Sequence, residues 1–270
     1  MCTRCAFVGG LLALGAAAAR PAAAASARAA AARPGDPQAL EAALPGMRRI
    51  DETVWLDRLS PNVWLHTTTS PVDGLGYYPA NGAIVVDGNE ALLIDTGWNA
   101  AQTAAILDAW GRLPQPAVAR AVVTHFHNDR LGGIDELSKR GIPAFGNPLT
   151  IGLARDNGFT APEPLHDVEK QPQQLGSIEV RYPGPGHTLD NVVVWVPSDG
   201  VLFGGCLVKS TTANDLGNLG DANVAAWPAS IRAVLRAYAP RHVVPGHGTI
   251  AGDAIAHTIG LADAANRERS

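Results

Sequence analysis

The chain has 270 residues, 46% hydrophobic and 17% charged, which is enough apolar side chain to bury a sizeable core as one α/β domain and excludes a disordered or fibrous protein. Its formal charge is −4, from 21 Lys and Arg against 25 Asp and Glu, a balance that argues against nucleic acid as a partner.

The chain starts MCTRCAFVGGLLALGAAAARPAAAASARAA, with Arg4 near its beginning, an apolar run from Ala6 to Ala19 and small residues suited to cleavage near Ala25. This is the pattern of a secretory signal, so residues 1–25 are expected to be removed and the mature protein to be periplasmic. The apolar run falls short of the ~20 residues of a membrane-spanning helix. No other stretch is long enough, and no stable membrane anchor is expected after processing. Arg4 and Arg20 are unopposed by acids in that segment, so taking their two positive charges from −4 leaves −6. Cys2 and Cys5 match C-x-x-C but go with the signal, which leaves Cys206 as the one mature cysteine. In an oxidising compartment such a thiol must be buried, paired with another chain, or held as a thiolate on metal.

Residues 26–50, rich in Ala, Pro and Arg, read as a flexible arm, and residues 51–270 as the folded domain. Residues 54–69 and 82–97 alternate as antiparallel strands do, with Asp87-Gly88-Asn89 as a hairpin turn. Residues 99–110 carry apolar positions at helical spacing. The run 117–125 is β-branched and strand-like, and a helix is expected from Ile134 to Arg140. Residues 177–188, 191–208 and 241–249 read as strands closed by glycine turns, and 226–239 and 252–268 as helices. Runs of strands between helices suggest two β layers covered by helices.

The stretch THFHNDRLGG (124–133) carries a dense set of ligand types. His125, His127, His187 and His247, with Asp129 and Cys206, are six residues that zinc accepts, all placed at strand-to-turn junctions. In extended geometry His125, His127 and Asp129 would share one face, because strand side chains alternate. Taken singly each has an ordinary reading: a core or surface histidine, a helix cap for Asp129, a small buried hydrophobe for Cys206. Together they do not, because His-x-His-x-Asp is a specific spacing and the others recur at matched strand ends, as in PGPGHT and PGHG. His66, His166, His242 and His257 lack such a context.

In order and separation THFHNDRLGG, PGPGHT, GGCLVKS and PGHG resemble the metallo-β-lactamase superfamily and, within it, the dizinc subclass B1. The likeness spans roughly residues 54–262 and includes ALLIDTGW (91–98) and LGNLGDANVAAWPAS (216–230). It implies the four-layer αβ/βα sandwich with a zinc site in a groove along one edge. By position, His125, His127 and His187 would hold the first zinc, and Asp129, Cys206 and His247 the second, two Zn2+ per chain. The thiolate on metal would then account for the unpaired cysteine.

The resemblance also implies a reaction and a substrate. Zinc lowers the pKa of bound water towards ~7, so hydroxide would attack the lactam carbonyl of penicillins, cephalosporins and carbapenems, conferring antibiotic resistance. Asp129 would orient that hydroxide, Lys209 would pair with the carboxylate beside the ring nitrogen, and Asn218 would face the carbonyl. The chain has no Ser-x-x-Lys or Gly-x-Ser-x-Gly, so no acyl-enzyme is expected. Asp95 would hold the metal loop by hydrogen bonds, and residues 69–82, with Leu75, Tyr77 and Tyr78, would form a mobile flap over the substrate. The family usually works as a monomer.

Two rivals carry different features. Thioesterases and lactonases of the superfamily typically follow the motif aspartate with a histidine ligand and bridge the metals with a later aspartate, where this chain has Arg130 and Cys206. A structural zinc protein would close its site with four protein ligands, whereas three plus three leaves positions open. Arg130 itself would either contact substrate or tie down the neighbouring loop.

Overall fold

The structure, a computed structural model, describes residues 47–73 and 76–269; the expected signal and most of the expected arm lie outside the described residues. Its first sheet runs in chain order, β1 (Arg48–Arg49), β2 (Val54–Arg58), β3 (Val63–Val72), β4 (Gly76–Asp87), β5 (Glu90–Ile94), β6 (Val118–Val122), β7 (Ala144–Gly146) and β8 (Glu163–Pro164). Pairing is antiparallel from β1 to β5 and parallel from β5 to β8. The second sheet has β9 (Gln173–Leu175), β10 (Ile178–Arg181), β11 (Val193–Val196), β12 (Val201–Gly205) and β13 (His242–Pro245), with only the β12–β13 pair parallel.

Period-2 alternation decides which side chains meet. Leu92 and Ile94 of β5 turn to one face with Val63, Leu65 and Val85, and pack against Val180, Val194, Val196, Phe203 and Val244 of the second sheet. Ala91 and Leu93 turn outward onto Ile106, Leu107 and Trp110 of α1 (Ala100–Gly111) and Ile134 and Leu137 of α3 (Ile134–Lys139). On the other flank Val193 and Leu202 face outward onto Trp227, Ile231 and Val234 of α5 (Trp227–Ala237) and Ala254, Ile255 and Ala262 of α6 (Ala254–Arg267). The order helices, sheet, sheet, helices is the four-layer αβ/βα sandwich that the resemblance implied.

Helix starts follow local chemistry. Asn99 caps α1 by accepting from the Gln102 N–H, and Asp253 caps α6 by accepting from the Ala256 N–H, each satisfying a donor that the first turn leaves unpaired. The expected strand 191–208 is a hairpin of two strands, because Asp199 and Gly200 turn the chain between them. Residues 143–175, which gave no sequence assignment, hold β7, α4 (Pro148–Asp156), β8 and β9. The ladder also begins before residue 51, since Arg48 and Arg49 pair with Leu56 and Trp55. Among the described residues no helix is long and apolar enough to cross a membrane.

Candidate metal centre

Parallel pairing brings the C-terminal ends of β5 and β6 in one sheet, and of β12 and β13 in the other, to one end of the sandwich, where loops gather as in other layered folds. The loop after β6 is fixed first. Asp95, at φ 59, accepts hydrogen bonds from the Thr124 backbone N–H at 2.7 Å and the Thr124 hydroxyl at 2.9 Å. That holds the start of THFHND against β5, as the resemblance implied for Asp95.

One expectation about this loop needs correcting. β6 ends at Val122, His125 and His127 lie in bends, and Asp129 sits inside α2 (Asn128–Leu131), so the three do not share a strand face. The change from bend to helix sends Asp129 away from the two histidines. Two donor groups result, His125 with His127 and His187, and Asp129 with Cys206 and His247.

In the first group, the His125 Nε2 and His187 Nε2 atoms each lie 3.2 Å from the His127 Nδ1 atom. Burial holds the pKa of His125 and of His187 well below the usual histidine value, so both rings are neutral. Tetrahedral zinc with Zn–N bonds of about 2.0–2.1 Å separates its nitrogen ligands by roughly 3.3 Å, so these lone pairs converge at the spacing that a shared cation would need. Behind them the His127 Nε2 atom meets an Asp221 carboxylate oxygen at 2.9 Å.

In the second group, the Cys206 Sγ atom lies 3.1 Å from the His247 Nε2 atom and 3.6 Å from an Asp129 oxygen, which in turn is 3.3 Å from that nitrogen. His247 is oriented by donating from Nδ1 to the Pro79 carbonyl at 2.7 Å. Cys206 follows Gly205, whose φ of 53 suits glycine, and a Cβ on Gly246 would stand 2.8 Å from the Cys206 sulfur, so both turns require glycine. Burial pushes the Cys206 thiol up to about 12, against the pull of Arg130. Burial would push the Asp129 carboxyl up as well, but Arg130 and His247 beside it hold it well below the usual carboxylate range. An ionised carboxylate, an imidazole and a thiol that gives up its proton on metal binding form a donor set that suits zinc.

Arg130 lies beneath the second group with no solvent exposure. Its Nη2 atom donates to Gly246 O at 2.7 Å and to Cys206 Sγ at 3.0 Å, and pairs with Asp129 at 2.8 Å; its Nη1 atom donates to Asn81 O at 2.6 Å. It ties loops of both sheets together from beneath the site.

Of the residues assigned to substrate, Lys209 is 9% exposed, follows Cys206 by three positions and stands 5.2 Å from the Trp227 ring. Asn218 is exposed, and its side chain accepts from the Gly220 N–H at 3.0 Å, closing its own turn without a hydrogen bond to either donor group. Of the flap, Leu75 lies outside the described residues, Tyr77 is 36% exposed, and the Tyr78 ring lies 4.7 Å from the His247 ring. Sequence reasoning did not single out Asp221; its one signal was its place in GNLGDAN, three residues after Asn218. Beside Asp221 a cavity of about 690 Å3 opens, lined also by Phe126, Leu153 and Leu189.

Residues 75–247 match the family described as the metallo-beta-lactamase superfamily. A relative from Bacillus cereus named metallo-beta-lactamase type 2 is 39% identical over 220 residues, covering 77% of this chain and 82% of its own. A solved structure of the DIM-1 metallo-beta-lactamase exposed to ceftazidime superposes with a TM-score of 0.74 at 36% identity, covering 80% of this chain and all of that one. The FIM-1 metallo-beta-lactamase from Pseudomonas aeruginosa, in a mono-zinc form, gives a TM-score of 0.76 at 33% identity, covering 80% and 98%. Fold, donor groups and likeness agree: the chain belongs to the metallo-β-lactamase superfamily. It is a metal-binding hydrolase of that superfamily.

Proposed function

We propose that this protein is a dizinc β-lactamase that opens the lactam amide of penicillins, cephalosporins and carbapenems without a covalent acyl-enzyme, working as a periplasmic monomer. The observation that carries the reading is the pair of adjoining donor groups, three imidazoles in one and Asp129, Cys206 and His247 in the other. With Arg130 buried and engaged, the position after Asp129 supplies no ligand, and Cys206 takes that part. The names of the relatives and the ceftazidime exposure of one neighbour favour β-lactams as the substrate class.

His125, His127 and His187 would hold one ion, and Asp129, Cys206 and His247 the other. Zinc in these places supplies Lewis acidity and makes water a nucleophile near neutral pH. Asp129, held ionised by Arg130 and His247, would both hold an ion and orient that water. Lys209 would pair with the carboxylate beside the lactam nitrogen, and Asn218 would reach the carbonyl only by leaving the Gly220 N–H. The cavity beside Asp221 is large enough for a substituent of drug size.

The test is to load the purified mature protein with zinc, count bound metal, and follow penicillin, cephalosporin and carbapenem chromophores with and without chelator. The expected result is about two zinc ions per chain and hydrolysis that the chelator abolishes. A clean one-to-one stoichiometry at saturating zinc would undo the second site, and three intact substrate classes would undo the β-lactam assignment.

A further inference from the structure

We propose that the Tyr78 phenol is a second donor, beside Lys209, for the carboxylate that a β-lactam carries next to its ring nitrogen, which makes it a specificity-determining residue of the flap. The inference rests on the β-lactam reading above and names the flap group that meets the substrate.

Tyr78 pairs with Ser70 in the β3–β4 ladder, so its backbone is fixed, and alternation sends it to the face opposite the exposed Tyr77. The carbonyl of the next residue, Pro79, is the one that orients His247. The Tyr78 ring lies over that histidine, 4.7 Å between centroids at 46°, and the far side of His247 is the Nε2 atom facing Cys206 and Asp129. The flap stem thus lays a phenol ring over His247, one member of the second donor group.

Among the described residues the Tyr78 hydroxyl has no hydrogen-bond partner, and its oxygen is open to solvent, so the O–H is free to donate to a ligand. Tyr78 and Lys209 come from different sheets, one on β4 and the other just past β12, and both lie within electrostatic reach of Asp129, Cys206 and Asp215. A neutral O–H donor and a cation brought to the same acidic groups from two sheets match an anionic group whose two oxygens both need a donor. The acidic group next to the lactam nitrogen is the part of the substrate that fits.

Tyr78→Phe keeps the ring over His247 and removes only the hydroxyl. For a penicillin or cephalosporin with a free carboxylate, KM is expected to rise about tenfold while kcat changes less than about twofold. The methyl ester of the same compound should show no rise. As a readout apart from turnover, calorimetric affinity for the ring-opened product should fall about tenfold at unchanged zinc content. Unchanged KM and product affinity would leave Tyr78 as packing alone and overturn the proposal, as would an equal rise on acid and ester. A wild-type protein that turns over none of these compounds would sink the β-lactam reading, and this inference with it.

Discussion

Arg130 shows what one side chain can settle. Its guanidinium is shared among Asn81 O, Gly246 O, Asp129 and Cys206, which come from four separated stretches of chain. A planar fork that is always charged suits this, because it neutralises anions in a dry place while satisfying carbonyls. The sequence could state only that an arginine stood after the aspartate. Asp221 is the counterpart that the sequence left unmarked: its carboxylate holds the His127 ring from behind, as carboxylates commonly do for histidine ligands. Asp221→Asn should therefore weaken zinc at the first site by about 10-fold or more while the melting temperature of the metal-free protein stays put. Competition against a chromophoric chelator reads this, and unchanged affinity would show the Asp221 contact to be incidental.

The loops and turns divide the work between the two ends of the sandwich. At the metal end, the Asn81 side chain donates to Pro245 O and Gly248 O, so β4 is stitched to the turn that presents His247. At the other end, Asp199 in the β11–β12 turn accepts from the Ser60 hydroxyl at 2.6 Å and from the Asn62 backbone and side chain at 3.0 Å each, joining the β2–β3 turn. Burial would raise the Asp199 carboxyl, but these bonds and one from Ser198 outweigh it and bring it down to about 2. A depressed carboxyl stabilises the fold fully above its unfolded value near 4, and the contribution fades as pH falls through about 2. Relative to Asp199→Asn, the wild type should thus lose ~2 kcal/mol of its advantage between those pH values, read by denaturant unfolding. A constant difference would mean the turn is not held by charge. The main strands and helices were legible at this level because each has a clean period. The extended face drawn for His125, His127 and Asp129 was not, because the switch from bend to α2 depends on Asp95, far off in sequence, which holds Thr124 at the start of the loop and pairs with Arg130 inside α2.

Each donor group takes residues from loops of both sheets. The first joins His125 and His127 after β6 to His187 before β11, and the second joins Asp129 of α2 to Cys206 after β12 and His247 after β13. A bound ion would therefore clamp the sandwich closed, and its binding energy would appear as folding stability. Saturating zinc is expected to raise the melting temperature of the chelated protein by about 10 °C, with a clearly smaller rise in Cys206→Ser. Identical melting with and without zinc would refute the clamp. By itself the sequence determined the layer order, from alternating and helical periods, and the identities of six donors, because chemical type is written in each residue. The division of those donors into two groups was implied by the resemblance, and tertiary structure brought each group together; tertiary structure alone decided what Arg130 and Asp221 support, and that Tyr78 overlies His247. The reason is physical: these are contacts between side chains up to 170 or so residues apart, fixed only once two sheets pack and their loops meet at one end.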